Sequence, residues 1–489
     1  MEQITKPHCG ARLDRLPDCR WHSSMFAIVA FGLLVCWSNA VGGLILAQLK
    51  ALGWTDNSTT ATFSAITTAG MFLGALVGGI IGDKTGRRNA FILYEAIHIA
   101  SMVVGAFSPN MDFLIACRFV MGVGLGALLV TLFAGFTEYM PGRNRGTWSS
   151  RVSFIGNWSY PLCSLIAMGL TPLISAEWNW RVQLLIPAIL SLIATALAWR
   201  YFPESPRWLE SRGRYQEAEK VMRSIEEGVI RQTGKPLPPV VIADDGKAPQ
   251  AVPYSALLTG VLLKRVILGS CVLIAMNVVQ YTLINWLPTI FMTQGINLKD
   301  SIVLNTMSMF GAPFGIFIAM LVMDKIPRKT MGVGLLILIA VLGYIYSLQT
   351  SMLLITLIGF FLITFVYMYV CYASAVYVPE IWPTEAKLRG SGLANAVGRI
   401  SGIAAPYAVA VLLSSYGVTG VFILLGAVSI IVAIAIATIG IETKGVSVES
   451  LSIDAVANKQ YGWIQNEKFK SNIAGAGHNE NYFSRNTSA

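Results

Sequence analysis

Four ionisable side chains sit where an apolar chain would be expected to have none. Arg118 and Arg399 lie inside long hydrophobic runs, and so do Glu95 and His98, three positions apart. An arginine at the centre of a membrane helix costs roughly 2.5–3.5 kcal/mol on insertion scales, so each must face a partner or a polar cavity. A guanidinium in such a cavity can grip a carboxylate through two parallel hydrogen bonds; paired with another helix it is a strut. Glu95 and His98 share one helical face at their spacing, and a carboxyl beside an imidazole can carry a proton or simply hold two helices together. Amides and aromatics recur in the same runs: Trp37 and Asn39, Asn157 and Tyr160, Gln280, Tyr281, Asn285 and Trp286, then Tyr372, with Tyr377 nearer the end of its run. Together they are candidate substrate-binding groups, although each alone is more commonly a packing residue. Other chemistry finds no residues. The four histidines, at 8, 22, 98 and 478, form no set with a nucleophile or with metal ligands. The seven cysteines, at 9, 19, 36, 117, 163, 271 and 371, include no C-x-x-C pair. Nothing matches the phosphate-binding pattern G-x-x-x-x-G-K-[ST]. The expectation is no enzyme, no metal and no cofactor.

The elements that must position these residues are hydrophobic helices. Of 489 residues, 54% are hydrophobic and 13% charged, with mean hydropathy +0.60. That charged share is about half that of a soluble domain, which excludes a soluble two- or three-domain chain. Apolar segments fall at about 25–49, 62–82, 89–108, 112–138, 148–174, 181–202, 263–291, 302–323, 330–348, 352–378, 390–414 and 417–440. A bilayer crossing takes about 20 residues, so these are twelve candidate spans. Basic residues concentrate in alternate loops: Lys84, Arg87, Arg88, Arg143 and Arg145, then the middle loop, then Lys325, Arg328, Lys329, Lys387 and Arg389. The net charge of +10 therefore reflects topology, not nucleic-acid binding. The positive-inside rule places both ends in the cytoplasm. The expected organisation is a cytoplasmic tail 1–24, a six-helix bundle 25–202, a cytoplasmic middle loop 203–262, a second six-helix bundle 263–440 and a cytoplasmic tail 441–489. Charges at helical spacing from Glu204 to Glu227 predict short helices in the middle loop, and prolines between 234 and 253 predict an extended linker. The polar end is expected to be disordered from about residue 460. The first twenty residues are polar, so no cleavable signal peptide is expected.

The tight turn between the second and third segments reads Gly79-Ile80-Ile81-Gly82-Asp83-Lys84-Thr85-Gly86-Arg87-Arg88. Gly86 lets the chain reverse, and Asp83 can pair with a base or face the amides of a helix start. A second copy, Asp324-Lys325-Ile326-Pro327-Arg328-Lys329, follows 241 residues later, which is the mark of a duplicated transporter. Pro327 stands at its turn glycine, so this copy is expected to contribute less to a gate. Glu138, followed by Arg145, has a partner in Glu380, followed by Arg389, at offsets of 242 and 244 residues. Acid at a helix end and arginine beyond the turn suit ion pairs between helices that form and break as one side closes and opens. Gly82, Asp83, Gly86, Arg87, Arg88, Glu138, Arg145, Asp324, Arg328, Glu380 and Arg389 are the gating candidates. Gly70, Gly74, Gly78 and Gly82, each four apart, allow a close helix approach, read here as a sliding contact for rocking.

The first turn resembles the loop signature of the major facilitator superfamily. Pro203-Glu204-Ser205-Pro206-Arg207-Trp208-Leu209 and Glu442-Thr443-Lys444-Gly445 resemble its sugar-porter branch. The resemblance spans the chain and implies an all-α membrane protein with twelve transmembrane helices in two pseudo-symmetric six-helix bundles. It implies a monomer in the lipid bilayer of a bacterial inner membrane that moves a small-molecule substrate by alternating access, with H+ as the coupling ion. Arg118 matches the fourth-helix arginine that pairs, in proton-coupled members, with an aspartate on helix one; here that segment reads Cys36-Trp37-Ser38-Asn39-Ala40, without an acid. Glu95 and His98 are the replacement candidates. The hexose signature of helix seven is missing, and Gly398-Arg399-Ile400-Ser401-Gly402 resembles the aromatic-acid and organic-ion branches. The expected substrate is a sugar, polyol or sugar acid, tilted toward an anion. An organic-ion or aromatic-acid carrier (efflux included), a uniporter and a transporter-like sensor are the alternatives.

Overall fold

The computed structural model describes residues 7–17, 19–141, 145–240, 253–383 and 386–444. Among them there is no strand, and helices account for every long element. Backbone polar groups in hydrocarbon must be satisfied within the segment, and the helix does so. Among the described residues, nine helical stretches are long and apolar enough to cross a membrane; the last of them, Arg389–Ile439, is two spans merged across a kink at Gly417. Two more crossings are helices broken in two, which completes twelve.

In chain order, span 1 is Arg20–Val35 and Gly42–Ala51, and span 2 is Asn57–Thr85. Span 3 is Arg87–Ala106, span 4 Met111–Tyr139, span 5 Arg145–Asn157 with Ser159–Leu170, and span 6 Ala176–Tyr201. Span 7 is Gly260–Thr293, span 8 Leu298–Met309 with Gly311–Val322, and span 9 Arg328–Ser347. Span 10 runs Met352–Cys371 and ends in a π-helical turn, Tyr372–Tyr377, and Val378–Glu380. Spans 11 and 12 share Lys387–Ile439, divided at Gly417, whose φ of 66° a larger residue would adopt only under strain. Local signals set the starts. Asp56 accepts from Thr59 N at 2.7 Å, Asn110 from Phe113 N at 2.9 Å and Asn297 from Asp300 N at 2.8 Å, as N-caps do.

The glycine stripe of span 2 packs inside the first bundle. It faces span 4 of the same bundle: a Cβ at Gly70 or Gly74 would overlap the backbone oxygens of Phe119 or Val123, and one at Gly78 would lie 2.6 Å from Ala127 Cα. The backbones touch, as small-xxx-small seams permit. The middle loop forms helices Pro206–Ser211, Tyr215–Thr233 and Tyr254–Leu257. The short N-terminal helix Cys9–Asp14 clasps the first two through a small apolar core of Cys9, Leu13, Leu16, Trp208, Met222 and Val229. Arg12 pairs there with Glu219 and, at 2.7 Å, with Glu226; Arg15 pairs with Glu226 at 2.7 Å. Most of the 234–253 linker and all of the tail past 444 lie outside the described residues.

Candidate functional site

Span 1 is interrupted over residues 36–41, and the interruption opens onto a cavity of about 250 Å³ between the bundles. Broken backbone at membrane depth is tolerated where it lines such a cavity. The second half of span 1 then packs hard on span 7, where a Cβ on Gly43 would come within 2.9 Å of Asn285 O. Asn39 from the break, Asn157 and Tyr160 from span 5, Gln280 and Tyr281 from span 7 and Arg399 from span 11 all line the cavity. Six of the twelve binding candidates thus converge from four spans. Among the described residues Arg399 is the only charged one on the wall, and its buried Nη1 has no hydrogen-bond partner there. Leu33, Met71, Leu125, Leu129 and Phe133 supply the apolar surface.

The other six candidates lie elsewhere. Arg118 is 1% exposed; it donates to Ser38 O at 2.6 Å and Thr67 Oγ1 at 3.2 Å, and lies over the Phe63 ring at 4.6 Å. It spends its charge holding the broken span 1 against spans 2 and 4. Trp37 belongs to the core of the first bundle, and Trp286 to that of the second. Asn285 is buried beside Gly42 and Arg118, off the cavity wall. Tyr372 stacks on Tyr377 with centroids 5.0 Å apart, and the Tyr377 hydroxyl bonds the backbone of Ile441. These two rings therefore lie at the charged end of the second bundle, packed on each other and off the cavity wall.

Glu95 and His98 are both wholly buried, directly behind the break in span 1. His98 Nε2 lies 2.7 Å from Ser38 Oγ, and Cys36 Sγ lies 3.6 Å from Glu95 Oε1. Cys36 itself lines the cavity, so the pair reaches it through one side chain. Glu95 Oε2 and His98 Nδ1 face each other at 3.6 Å, each without a hydrogen bond. Cys36 and Ser38 were not among the residues singled out for function. Their only signal was a place beside Trp37 and Asn39.

At the charged end the two halves build the same structure twice. Arg87 pairs with Asp83 at 2.6 Å and Glu138 at 2.9 Å. Arg328 pairs with Asp324 at 3.2 Å and Glu380 at 3.0 Å. The second copy, despite Pro327, carries the corresponding ion pairs. Pro327 starts span 9 at φ −56°, whereas the first turn passes through Gly86 at φ 98°. Both routes deliver an arginine to the same acids. Glu138 and Glu380 thus pair with the arginine of the preceding turn. Arg145 begins span 5 with its side chain outside the described residues, and Arg389 lies over the Tyr254 ring at 5.2 Å. Arg88 donates to Trp199 O at 2.6 Å.

Two further carboxylates complete the pattern. Glu204 accepts from Arg87 N at 2.7 Å and Arg88 N at 3.2 Å; Glu442 accepts from Arg328 N at 2.8 Å and Lys329 N at 3.1 Å. The anion at each helix start is therefore one of these glutamates, where Asp83 was a candidate. Burial works to raise the Glu442 pKa, but the amides of Arg328, Lys329 and Lys444 hold it below its usual value. All four ion pairs stay within one half. Polar contacts joining the halves lie toward the opposite end, as in Asn57 Nδ2 to Ser414 Oγ at 2.9 Å and Asn305 Nδ2 to Ser164 Oγ at 3.1 Å.

Residues 26–406 match the family model of the Major Facilitator Superfamily. The inner membrane metabolite transport protein YdjE of Escherichia coli is 44% identical over 455 residues, covering 92% of this chain and 99% of that protein. The niacin transporter NiaP of Acinetobacter baylyi is 26% identical over 448 residues, covering 91% and 99%. Among solved structures, the inward open conformation of the xylose transporter XylE from E. coli superposes with a TM-score of 0.70 at 16% identity, over 88% of this chain and 99% of that one.

Proposed function

The chain belongs to the Major Facilitator Superfamily, and on that premise we propose that it carries a small organic anion across a bacterial inner membrane by alternating access, with proton symport. Its relatives and fold are those of transporters, not enzymes. The observation that carries the substrate reading is Arg399, the single charge on the cavity wall, with Nη1 unpaired. A guanidinium nitrogen buried without a partner is costly, and a substrate carboxylate removes that cost. Asn39, Asn157, Gln280, Tyr160 and Tyr281 then offer hydrogen bonds to hydroxyls, which suits a sugar acid. A second reading is an aromatic carboxylate, favoured by Tyr160, Tyr281 and Phe133 on the same wall and by the relative named for niacin.

The basic loops support a cytoplasmic location for both termini, and we take the carrier to be a monomer. The proton is assigned to Glu95 and His98. A proton taken up by either atom would draw Oε2 and Nδ1 together from 3.6 Å into a hydrogen bond, and Cys36 and Ser38 connect the pair to the break in span 1. Glu95→Gln is expected to uncouple: substrate exchange continues while substrate-driven proton flux stops.

The test is a thermal-shift screen of purified protein against sugar acids, aromatic acids, neutral sugars and polyols, with Arg399→Ala alongside. A bound ligand raises the midpoint by mass action. Acids should shift wild type and leave Arg399→Ala unmoved. A shift by neutral polyols alone, retained in Arg399→Ala, refutes the anion reading.

A further inference from the structure

We propose that Cys36, Glu95 and His98 form a binding site for a thiophilic divalent cation of the Zn2+ class, reached from the substrate cavity. Their ligand atoms all lie within 4.8 Å of one another. The thiol sulfur lies 3.6 Å from Oε1 and the imidazole Nδ1 3.6 Å from Oε2, so the Glu95 carboxylate stands between the other two donors with one oxygen turned to each. Cys, His and Glu are all ligand types that Zn2+ takes. The set is wholly buried at Glu95 and His98, and each presents a lone, unbonded atom to the other.

The surroundings suit a metal ligand. Ser38 Oγ, 2.7 Å from Nε2, can accept that ring proton and leave the Nδ1 lone pair free, which is how outer partners orient a ligating histidine. Ser38 is itself held by Arg118, which donates to its carbonyl oxygen. Cys36 lies on the cavity wall, so the cation has a route in and the cavity a place for the fourth ligand, a water. On binding, the thiol releases its proton to solvent and becomes the anionic ligand. The bound cation ties the break in span 1 to span 3, so the protein becomes more resistant to unfolding.

The probe is Co2+, then Zn2+, added to the purified full-length protein in detergent. One Co2+ should bind with a thiolate-to-cobalt absorption band, and Zn2+ should displace it and raise the unfolding midpoint. Cys36→Ser should abolish the band, and His98→Gln should weaken binding at least tenfold. Cys19, 3.4 Å from His22 Nδ1, is the competing thiol, so Cys19→Ser serves as control and should keep the band. Absence of a band in wild type, its survival in Cys36→Ser, or its loss in Cys19→Ser with Cys36 intact overturns the proposal. Should His98→Gln fail to fold, the two cysteine variants still decide. The proton assignment fails separately, since it is read from flux without added metal.

Discussion

Gly78 and Gly79 are neighbours on span 2, and one methyl group at each should have opposite effects. A Cβ at Gly78 would sit 2.6 Å from Ala127 Cα and 2.8 Å from Ala127 Cβ, where ordinary contact begins at 3.4 Å. Spans 2 and 4 would have to part by about 0.8 Å along a seam that Gly70 and Gly74 also keep closed. A gap of 0.5–1 Å forfeits about a quarter to a half of each van der Waals well along the seam. Overpacking of this kind costs about 1–3 kcal/mol. At Gly79 nothing lies within 4 Å, so alanine adds only its helix propensity, up to about 1 kcal/mol in favour. The two variants should therefore differ by about 1–4 kcal/mol. The assay is the apparent unfolding midpoint of each in one detergent, with transport in vesicles beside it. Gly78→Ala should fall below wild type and Gly79→Ala should match or exceed it. A Gly78→Ala protein as stable as Gly79→Ala would refute the packing argument. Slow transport at an unchanged midpoint would restore the sliding reading.

Arg118→Met should lower the stability by about 1–3 kcal/mol, because it leaves Ser38 O unpaired in a buried site, while the Arg399-dependent ligand response keeps its specificity. Glu204→Gln and Glu442→Gln should each cost about 1–2 kcal/mol in chemical unfolding. The two costs should add, since the caps sit in separate halves; a strongly non-additive double variant would contradict independent caps. The N-terminal clasp should be acid-sensitive. Burial works to raise the Glu226 pKa, but Arg12 and Arg15 hold it below the usual carboxylate range. Its stabilising effect is complete above the ordinary carboxyl pKa and is lost as pH falls through the lowered folded value. Protease access to the N-terminal segment should rise only at acid pH, and Glu226→Gln should remove that dependence.

Much of the site was readable because membrane insertion makes polar residues conspicuous. Arg399, Gln280, Tyr281, Asn157, Tyr160 and Asn39 stood out against apolar runs and do meet at one cavity. Arg118 stood out for the same reason but satisfies itself on backbone and ring. Asn285 and Trp286 show why polarity alone misplaces a residue. At 3.6 residues per turn, Asn285 lies about 140° round the helix from Gln280, and it faces protein where Gln280 faces the cavity. Glu204 and Glu442 were visible only as letters of a motif; their task needs the helix starts of spans 3 and 9, over a hundred residues away in chain.

Hydropathy, turn residues and charge alternation act over one segment at a time, so the sequence alone determined the twelve spans, the duplicated turns and the membrane class. Where a span breaks, which face it turns inward and which distant side chains it meets depend on packing between segments. That packing joined Cys36 and Ser38 to Glu95 and His98 across 59 and 60 residues of chain. It also turned the glycine stripe of span 2 onto span 4 and left Arg399 as the one charge on the cavity wall. No local pattern encodes those meetings, because each is settled by the shape of two helices at once.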